Sequence, residues 1–567
     1  MRYLAVACDY DGTLATHGSV DKKTIAVLER VASSGRKLLL VTGRELDDLV
    51  KVFPELHLFN RVVAENGALL YRPENREEKT LGEHPPQAFV DALRKRNVAP
   101  LSVGRSIVAT WHPHETTVLE VIRELGLELQ VIFNKGAVMV LPSGVNKGTG
   151  LVAALDELGL SPHNAIGIGD AENDHAFLSV CECSVAVANA LETLKQRADV
   201  VTRGDHGAGV IEMLENLLEN DLEEYNLRLR RHELLLGQDP DGREVCIPAH
   251  GSCVLVAGPS GSGKTTVVTG LLERLAEKKY QFCVIDPEGD FETFAEALVL
   301  GDEHHTPSAE EIIQVLEKFE NPVLNLLGVP VGDRPNYFPA LLARIQELHG
   351  RTGRPHWLVL DEAHHLLPSN SHPAPLSMPQ QFGSAIIVTV HPDHMSPAAL
   401  SAVDLVLAVG AAPEKTVKAF CKAVGQPTPS AVHGELDQLE VLAWFCKTDR
   451  PPLRVRVVPA SSERRRHRRK YAQGDIQEKS FYFRGPQGKL NLKAQNLGLF
   501  VQLAEGVDDE TWLHHLNQGD YSRWIRDAIK DEPLAEQIAR IEQAGFAPAE
   551  SRARVKEAIE RQYTSAA

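Results

Sequence analysis

The stretch CVLVAGPSGSGKTTVVTGLLERL, beginning at Cys253, constrains the fold more than any other part of the chain. A short β-branched, leucine-rich run leads into a glycine loop, and the loop opens an amphipathic helix. A strand that hands its carboxyl end directly to a helix belongs to a parallel α/β sheet. Gly258, Gly261 and Gly263 let backbone amides turn toward an anion. The loop as a whole, Gly258, Pro259, Ser260, Gly261, Ser262, Gly263, Lys264, Thr265 and Thr266, has the spacing that cradles a triphosphate. In that pattern Lys264 reaches the β and γ phosphates and the Thr265 hydroxyl holds Mg2+. ATP with Mg2+ is the expected ligand.

Further apolar runs, FCVID, WLVLDEA, AIIVTVH and DLVLAVG, extend this α/β pattern over about 246–460. Asp361, at the end of one run, is placed to hold the magnesium through water, and Glu362 to polarise the attacking water. Thr389 and His391 end the next run, where a γ-phosphate sensor would stand. Asp361-Glu362-Ala363-His364 also spells the signature of many helicases, but the Ser-Ala-Thr motif and the Gln-Arg-x-Gly-Arg helix of that family are absent. FCVIDPEGDF, and the ribbon-like LLLGQDPDGREVCIP ahead of the loop, instead resemble the HerA/FtsK-type ATPases of the RecA-like class over about 232–459. His391 stands where that family often has glutamine. Arg344, Arg354, Arg454 and Arg456 are candidates for an arginine finger.

Residues 1–215 carry a second alternating pattern, with strand-like runs YLAVACDYDG, KLLLVTG, RVVAENG and NAIGIGD. Between 72 and 143 the rhythm changes to that of a small α+β insertion. Asp9 and Asp11 lie two apart at a strand's end, where side chains i and i+2 share a face. Like charges that close ionise together only with a cation or a proton between them, so the pair suggests a metal. Companions follow in order: Thr42, Lys147, then Asp170, Asn173 and Asp174.

This ordered set resembles the haloacid dehalogenase (HAD) superfamily of phosphatases, in the Cof and sugar-phosphate branch with a large cap. The stretch AENGALL around Asn66 and Gly67 fits the same branch. The resemblance implies that Asp9 attacks phosphorus and that Asp11 is the general acid and base. It further implies that Thr42 hydrogen-bonds the phosphoryl group and Lys147 neutralises it. Magnesium would be held by Asp9, the Asp11 carbonyl and Asp170, with Asp174 behind. In the cap, Arg105, His112, His114, Asn134 and Lys135 could face either a phosphorylated sugar or acid, or solvent.

The remainder narrows the class. In 567 residues the formal net charge is -17, which argues against a surface coated in nucleic acid but leaves room for a local basic groove. The run RRRHRRK at 464–470 is such a candidate, with a solvated linker as the alternative. No apolar run reaches membrane-spanning length, and the amino terminus lacks a secretion signal, so a cytoplasmic protein is expected. Eight cysteines without a CxxC pair give neither a zinc site nor a disulfide framework.

The expected architecture is multidomain α/β: a Rossmann-like HAD domain at 1–215 (core 1–71 and 144–215, cap 72–143), then a connecting helix or linker at 216–245, with a charged helical period over about 212–234. A RecA-like P-loop ATPase domain at 246–460 and a basic linker with a mostly helical module at 461–567 follow. Trp512, Leu516, Tyr521, Trp524 and Ile525 are the expected core of that module. The expected function is a bifunctional, homo-oligomeric phosphatase and ATPase, the ATPase gating the phosphatase or driving assembly. The alternatives are a DNA-dependent translocase with an accessory phosphatase and an ATP-driven scaffold.

Overall fold

In the computed structural model the described residues are 1–563 except 135, 293, 370–383, 431–435, 438, 461–479, 489 and 530. Lys135 and the basic run 464–470 therefore lie outside the described residues. The chain divides into two compact units, one of residues 1–289 and 296–460, the other of 290–295 and 461–567.

The first unit contains two large sheets. Short runs such as Ala5–Cys8 and Lys37–Val41 are buried almost throughout, which suits strands covered by helices on both faces. They join an eight-stranded sheet ordered Val200–Val201, Cys183–Ala186, Ala165–Gly169, Ala5–Cys8, Lys37–Val41, Arg61–Ala64, Leu69–Arg72, Glu77–Thr80. The first six strands are parallel and the last two form an antiparallel edge. The hairpin Leu69–Arg72 with Glu77–Thr80 belongs to this sheet, so the expected cap start at residue 72 falls inside a core hairpin. Hydrophobic alternation alone could not separate that edge from the insertion after it. The cap is a four-stranded antiparallel sheet, Ser102–Val103, Val108–Trp111, Ala137–Pro142 and Leu129–Asn134, with helices Gln87–Lys95 and Glu115–Glu124.

Among the described residues the second sheet has eleven strands. Seven are parallel, in the order Leu405–Val409, Cys253–Ala257, Ser384–Thr389, Trp357–Leu360, Phe282–Asp286, Pro322–Asn325, Leu298–Leu300. Four antiparallel strands continue it, ending in the hairpin Leu234–Gln238 with Glu244–Ile247 that the sequence suggested as a ribbon.

Between the sheets, the helical period of 212–234 does not continue as one helix. The helix His206–Asn220 stops because Asp221 and Leu222 both take left-handed backbone angles, φ 55 and φ 63. The Asp221 carboxylate is drawn into bonds with the Arg2 amide and the Arg36 guanidinium, and 3-10 turns follow it. Tertiary hydrogen bonds outweigh local propensity here.

The other unit pairs the hairpin Phe481–Phe483 and Leu492–Ala494 with helices from Leu497 to Tyr563. Trp512, Leu516, Tyr521, Trp524 and Ile525 are buried in its core, as expected. The Tyr521 hydroxyl donates to the Trp512 carbonyl at 3.0 Å and the Trp512 indole donates to Ser551 Oγ at 2.9 Å, so neither ring buries an unpaired polar group. No helix among the described residues is long and apolar enough to cross a membrane.

Candidate active site

Asp9 follows the strand Ala5–Cys8, and Asp170 follows its neighbour Ala165–Gly169, in parallel register through Cys8 and Ile168. Both acids thus emerge at the same edge of the sheet, where open α/β folds place ligands. Asp174 joins them from the 3-10 turn Glu172–Asp174. Carboxylate oxygens of Asp9, Asp170 and Asp174 lie within 4.8 Å of one another, and all three residues are buried. Two glycines make this closeness possible. A Cβ on Gly12 would stand 2.4 Å from Asp170 Oδ2, and one on Gly169 would stand 2.8 Å from the Asp174 side chain.

Lys147 supplies the opposing charge. It is the first residue of the helix Lys147–Glu157, whose cap Asn146 accepts from the amides of Gly148 and Thr149. A cation at a helix amino end is opposed by the helix dipole, and burial opposes it further. The acids overcome both: Lys147 Nζ lies 2.5 Å from Asp9 Oδ1 and 2.6 Å from Asp174 Oδ1. Burial works against the ammonium, but Asp174 and Asp9 outweigh it and hold its pKa above the usual lysine value. Burial, then the neighbouring Asp174, raises the Asp9 carboxyl well above the ordinary carboxylate range, with Lys147 acting in the other direction. Asp174 also accepts from the amides of Asp170 and Ala171, both at 2.8 Å, which fixes the turn.

Thr42 is buried at the end of Lys37–Val41, and its hydroxyl accepts from the Arg44 amide at 3.1 Å. Asp11 is partly exposed, and both its oxygens accept from the Arg44 guanidinium, at 2.6 and 2.7 Å. The expected Asp9, Asp170, Asp174 and Lys147 therefore converge, while Asp11 is drawn to a cation that sequence reading did not assign. Arg44 stands two residues after Thr42 in VTGR, but a partner 33 positions away leaves no local trace.

Glu65 was also missed. Its carboxylate accepts from the amides of Arg105, Ser106 and Ile107 at 2.8, 2.8 and 3.2 Å, which ties the cap to the core. Glu65 and Asn66 both have left-handed angles, φ 50 and φ 55, and Asn66 accepts from Asn173 Nδ2 at 2.9 Å. Strained backbone of this kind persists only where the surroundings hold it. Arg105 pairs with Asp47 and Glu78, and His112 with Glu115, so both cap candidates have protein partners. His114 Nε2 lies 3.1 Å from the Ala99 carbonyl.

In the second sheet the glycine loop joins Cys253–Ala257 to the helix Lys264–Glu277, with Gly261 at φ 74 and Gly263 at φ 100. A Cβ on Gly258 would lie 2.2 Å from the Val409 carbonyl. Lys264 Nζ donates to the carbonyls of Gly258 and Pro259 at 3.0 and 3.2 Å. Asp361 is buried directly after Trp357–Leu360, and Glu362 is held at φ 39. The strand ending in Thr389 separates the loop strand from the Asp361 strand. Thr389 Oγ1 accepts from the His391 amide at 3.1 Å and lies 3.2 Å from His364 Nδ1. Burial first, then His365, His391, His394 and Lys264, push the His364 imidazole down to about 4, so it is neutral at physiological pH. Arg354 is 1% exposed and bonded inside the protein, which removes it from the arginine-finger candidates. Arg344 pairs with Glu347 along its own helix.

A strand-end acid cluster facing one buried lysine in the first sheet, and a glycine loop between strand and helix in the second, define a phosphate-ester hydrolase joined to a P-loop ATPase-type domain. The comparisons agree. A family model for haloacid dehalogenase-like hydrolases matches residues 6–117 and 115–214, and an AAA domain model matches 249–393. Phosphoglycolate phosphatase 2 of Saccharolobus solfataricus is 31% identical over 224 residues, covering 38% of this chain and 94% of that protein. The phosphoglycolate phosphatase of Methanothermobacter thermautotrophicus is 32% identical over 228 residues, 38% of this chain and 98% of that protein. That of Halorubrum lacusprofundi is 31% identical over 223 residues, 37% of this chain and 96% of that protein. The chain belongs to the haloacid dehalogenase-like hydrolases and is a phosphoric monoester hydrolase that also carries an AAA-type domain.

Proposed function

We propose that the amino-terminal site is a Mg2+-dependent phosphatase for small phosphorylated acids or sugars, working through a phosphoaspartyl group on Asp9, and that the P-loop domain binds and hydrolyses ATP and gates it. The buried cluster of Asp9, Asp170 and Asp174 against Lys147 carries this reading. Its all-oxygen donor set suits a hard divalent cation. Asp9, Asp170 and the Asp11 carbonyl would hold Mg2+, with Asp174 orienting them, and the ion would supply charge neutralisation to the phosphoryl oxygens.

Asp9 Oδ attacks phosphorus as the ester P–O bond breaks, and the leaving oxygen takes a proton from Asp11. Water then attacks the phosphoryl group and gives its proton to Asp11, releasing inorganic phosphate and restoring Asp9. Lys147 and the Thr42 hydroxyl stabilise the oxygens that gain charge. Asp11 must leave the Arg44 fork to reach the ester oxygen, so Arg44 sets where it waits. A Cβ on Gly43 would stand 3.6 Å from the cap residue Met139, so the cap reaches over the strand end that carries Thr42. The relatives named above are phosphoglycolate phosphatases, and phosphoglycolate is the first substrate to try.

For the second site, Lys264 and Thr265 would hold the triphosphate and its Mg2+, Asp361 the ion through water, and Glu362 the attacking water, with His391 near the γ-phosphate. The HerA/FtsK likeness of this domain favours a homo-oligomer. A panel of phosphomonoesters that includes phosphoglycolate, assayed with Mg2+ and with or without ATP, tests the whole reading. Turnover that needs Mg2+ and changes with ATP is expected, and a protein inert toward every ester would refute it.

A further inference from the structure

The two sheets meet through the ends of their elements that lie away from the active sites. The strand Ala165–Gly169, which delivers Asp170, starts directly after the turn Pro162–Asn164. The P-loop helix starts at Lys264 and is capped at its far end by Lys278. These two ends touch. His163 Nε2 faces the Lys278 carbonyl at 2.8 Å, and His163 Nδ1 faces Glu182 Oε2 at 2.8 Å. The His163 ring stacks on Tyr280 at 3.7 Å, and the Tyr280 hydroxyl donates to the same Glu182 oxygen at 2.7 Å. Arg2 pairs with the other Glu182 oxygen.

A second contact lies beside the first. Arg354 donates to the Gly159 carbonyl at 3.0 Å on the phosphatase side, and to Gln281 Oε1 at 3.1 Å on the ATPase side. Gln281 opens the strand Phe282–Asp286, and its carbonyl accepts from the His356 amide, which leads into Trp357–Leu360 and Asp361. Gly353 approaches so closely that a Cβ there would stand 2.3 Å from Asn164 Nδ2. The triphosphate helix and the Asp361 strand are thus both seated on the segment that opens the Asp170 strand.

The intervening elements are stiff. The helix has 14 residues, or about 21 Å at the usual helical rise, and the strand has 5, or about 17 Å. Close-packed elements pass displacement on instead of absorbing it.

We propose that the His163–Lys278 contact, with Glu182, Tyr280 and Arg354 as positioning residues, couples the two sites, so that nucleotide at Lys264 and phosphoryl ligand at Asp9 change each other's affinity. The proposal rests on the functional reading above and adds the residues and the reciprocity. Coupling between binding equilibria must be symmetric, whereas a seam that only glues the domains has no such signature.

The test uses the full chain. With Mg2+ present throughout, the Kd of the imido analogue of ATP is measured with and without orthovanadate, and the Kd of vanadate with and without the analogue. In the unaltered protein each ligand is expected to shift the other by the same factor, about fivefold or more. His163→Gln and Tyr280→Phe are expected to bring both factors toward one while each ligand alone binds as before; the melting temperature falls with His163→Gln, which removes a partner of the buried Glu182, and changes little with Tyr280→Phe. Tyr280→Phe removes a single hydroxyl and keeps the test open if His163→Gln does not fold. Equal coupling in protein and variants would overturn the junction and leave the functional reading intact. Independent binding in the unaltered protein would overturn both coupling and gating. Loss of both binding events together with a lower melting temperature would reduce these residues to a structural role. A protein that binds neither ligand would refute the functional reading first, and the coupling with it.

Discussion

Asp9 and Lys147 each make the other's burial tolerable, and so removing one does more than delete a contact. A buried charge left without its partner is costly, so the survivor must neutralise or the site must open. Asp9→Asn keeps the shape and a hydrogen-bond acceptor for Lys147 but cannot take phosphorus. Phosphatase turnover is expected to fall by at least about 10³-fold with ATPase activity retained, as steady-state assays of both reactions will show. Lys264→Ala is expected to abolish ATPase activity and leave phosphatase turnover at the level the unaltered protein shows without ATP. Arg44→Ala frees Asp11 from its fork without touching phosphorus, and kcat is expected to drop by about 10- to 100-fold, the scale of a misplaced catalytic group. Asp9, Lys147, Asp170 and Asp174 were legible because each stands at a strand end or helix start, where chain order implies position. Arg44 and Glu65 were not, since their partners come from distant segments that only the fold brings near.

Among the elements, the turn at Glu65–Gly67 shows what local reading can and cannot see. Gly67 has φ 107, and a Cβ there would fall 2.0 Å from the Asn146 carbonyl, the cap of the helix that presents Lys147. Gly67→Ala therefore forces a main-chain shift, and a loss of stability above about 2 kcal/mol is expected in denaturant titration, with phosphatase kcat falling as Lys147 moves. The glycine was visible in AENGALL, but its close approach was not. Strands that end in Asp, Thr or Gly were readable from their apolar runs. The helix expected across 212–234 was misjudged because Asp221 serves Arg2 and Arg36 better outside a helix. The edge hairpin Leu69–Arg72 with Glu77–Thr80 was misplaced because a core edge and a cap strand look alike in composition.

At the scale of the whole molecule, the phosphatase and ATPase folds share one compact unit, joined at a buried polar seam that no motif announced. Burial opposes the Glu182 carboxylate, but His163, Arg2 and His232 outweigh it and hold its pKa well below the usual glutamate value. A depressed carboxyl pKa stabilises the fold fully above the unfolded value of about 4.3, and that stability is lost as pH falls toward the folded value. The melting temperature of Glu182→Gln should thus lie below that of the unaltered protein by a constant gap at neutral pH, and the gap should close below about pH 5.

The central claim is that Asp9 carries the phosphoryl group. Phosphate-labelled substrate mixed with the full protein and Mg2+, quenched in acid within one turnover and followed by peptide mapping, tests it directly. Label on the peptide that contains Asp9, and none in Asp9→Asn, is the predicted result. Undiminished turnover in Asp9→Asn, or label confined to another residue, would contradict it.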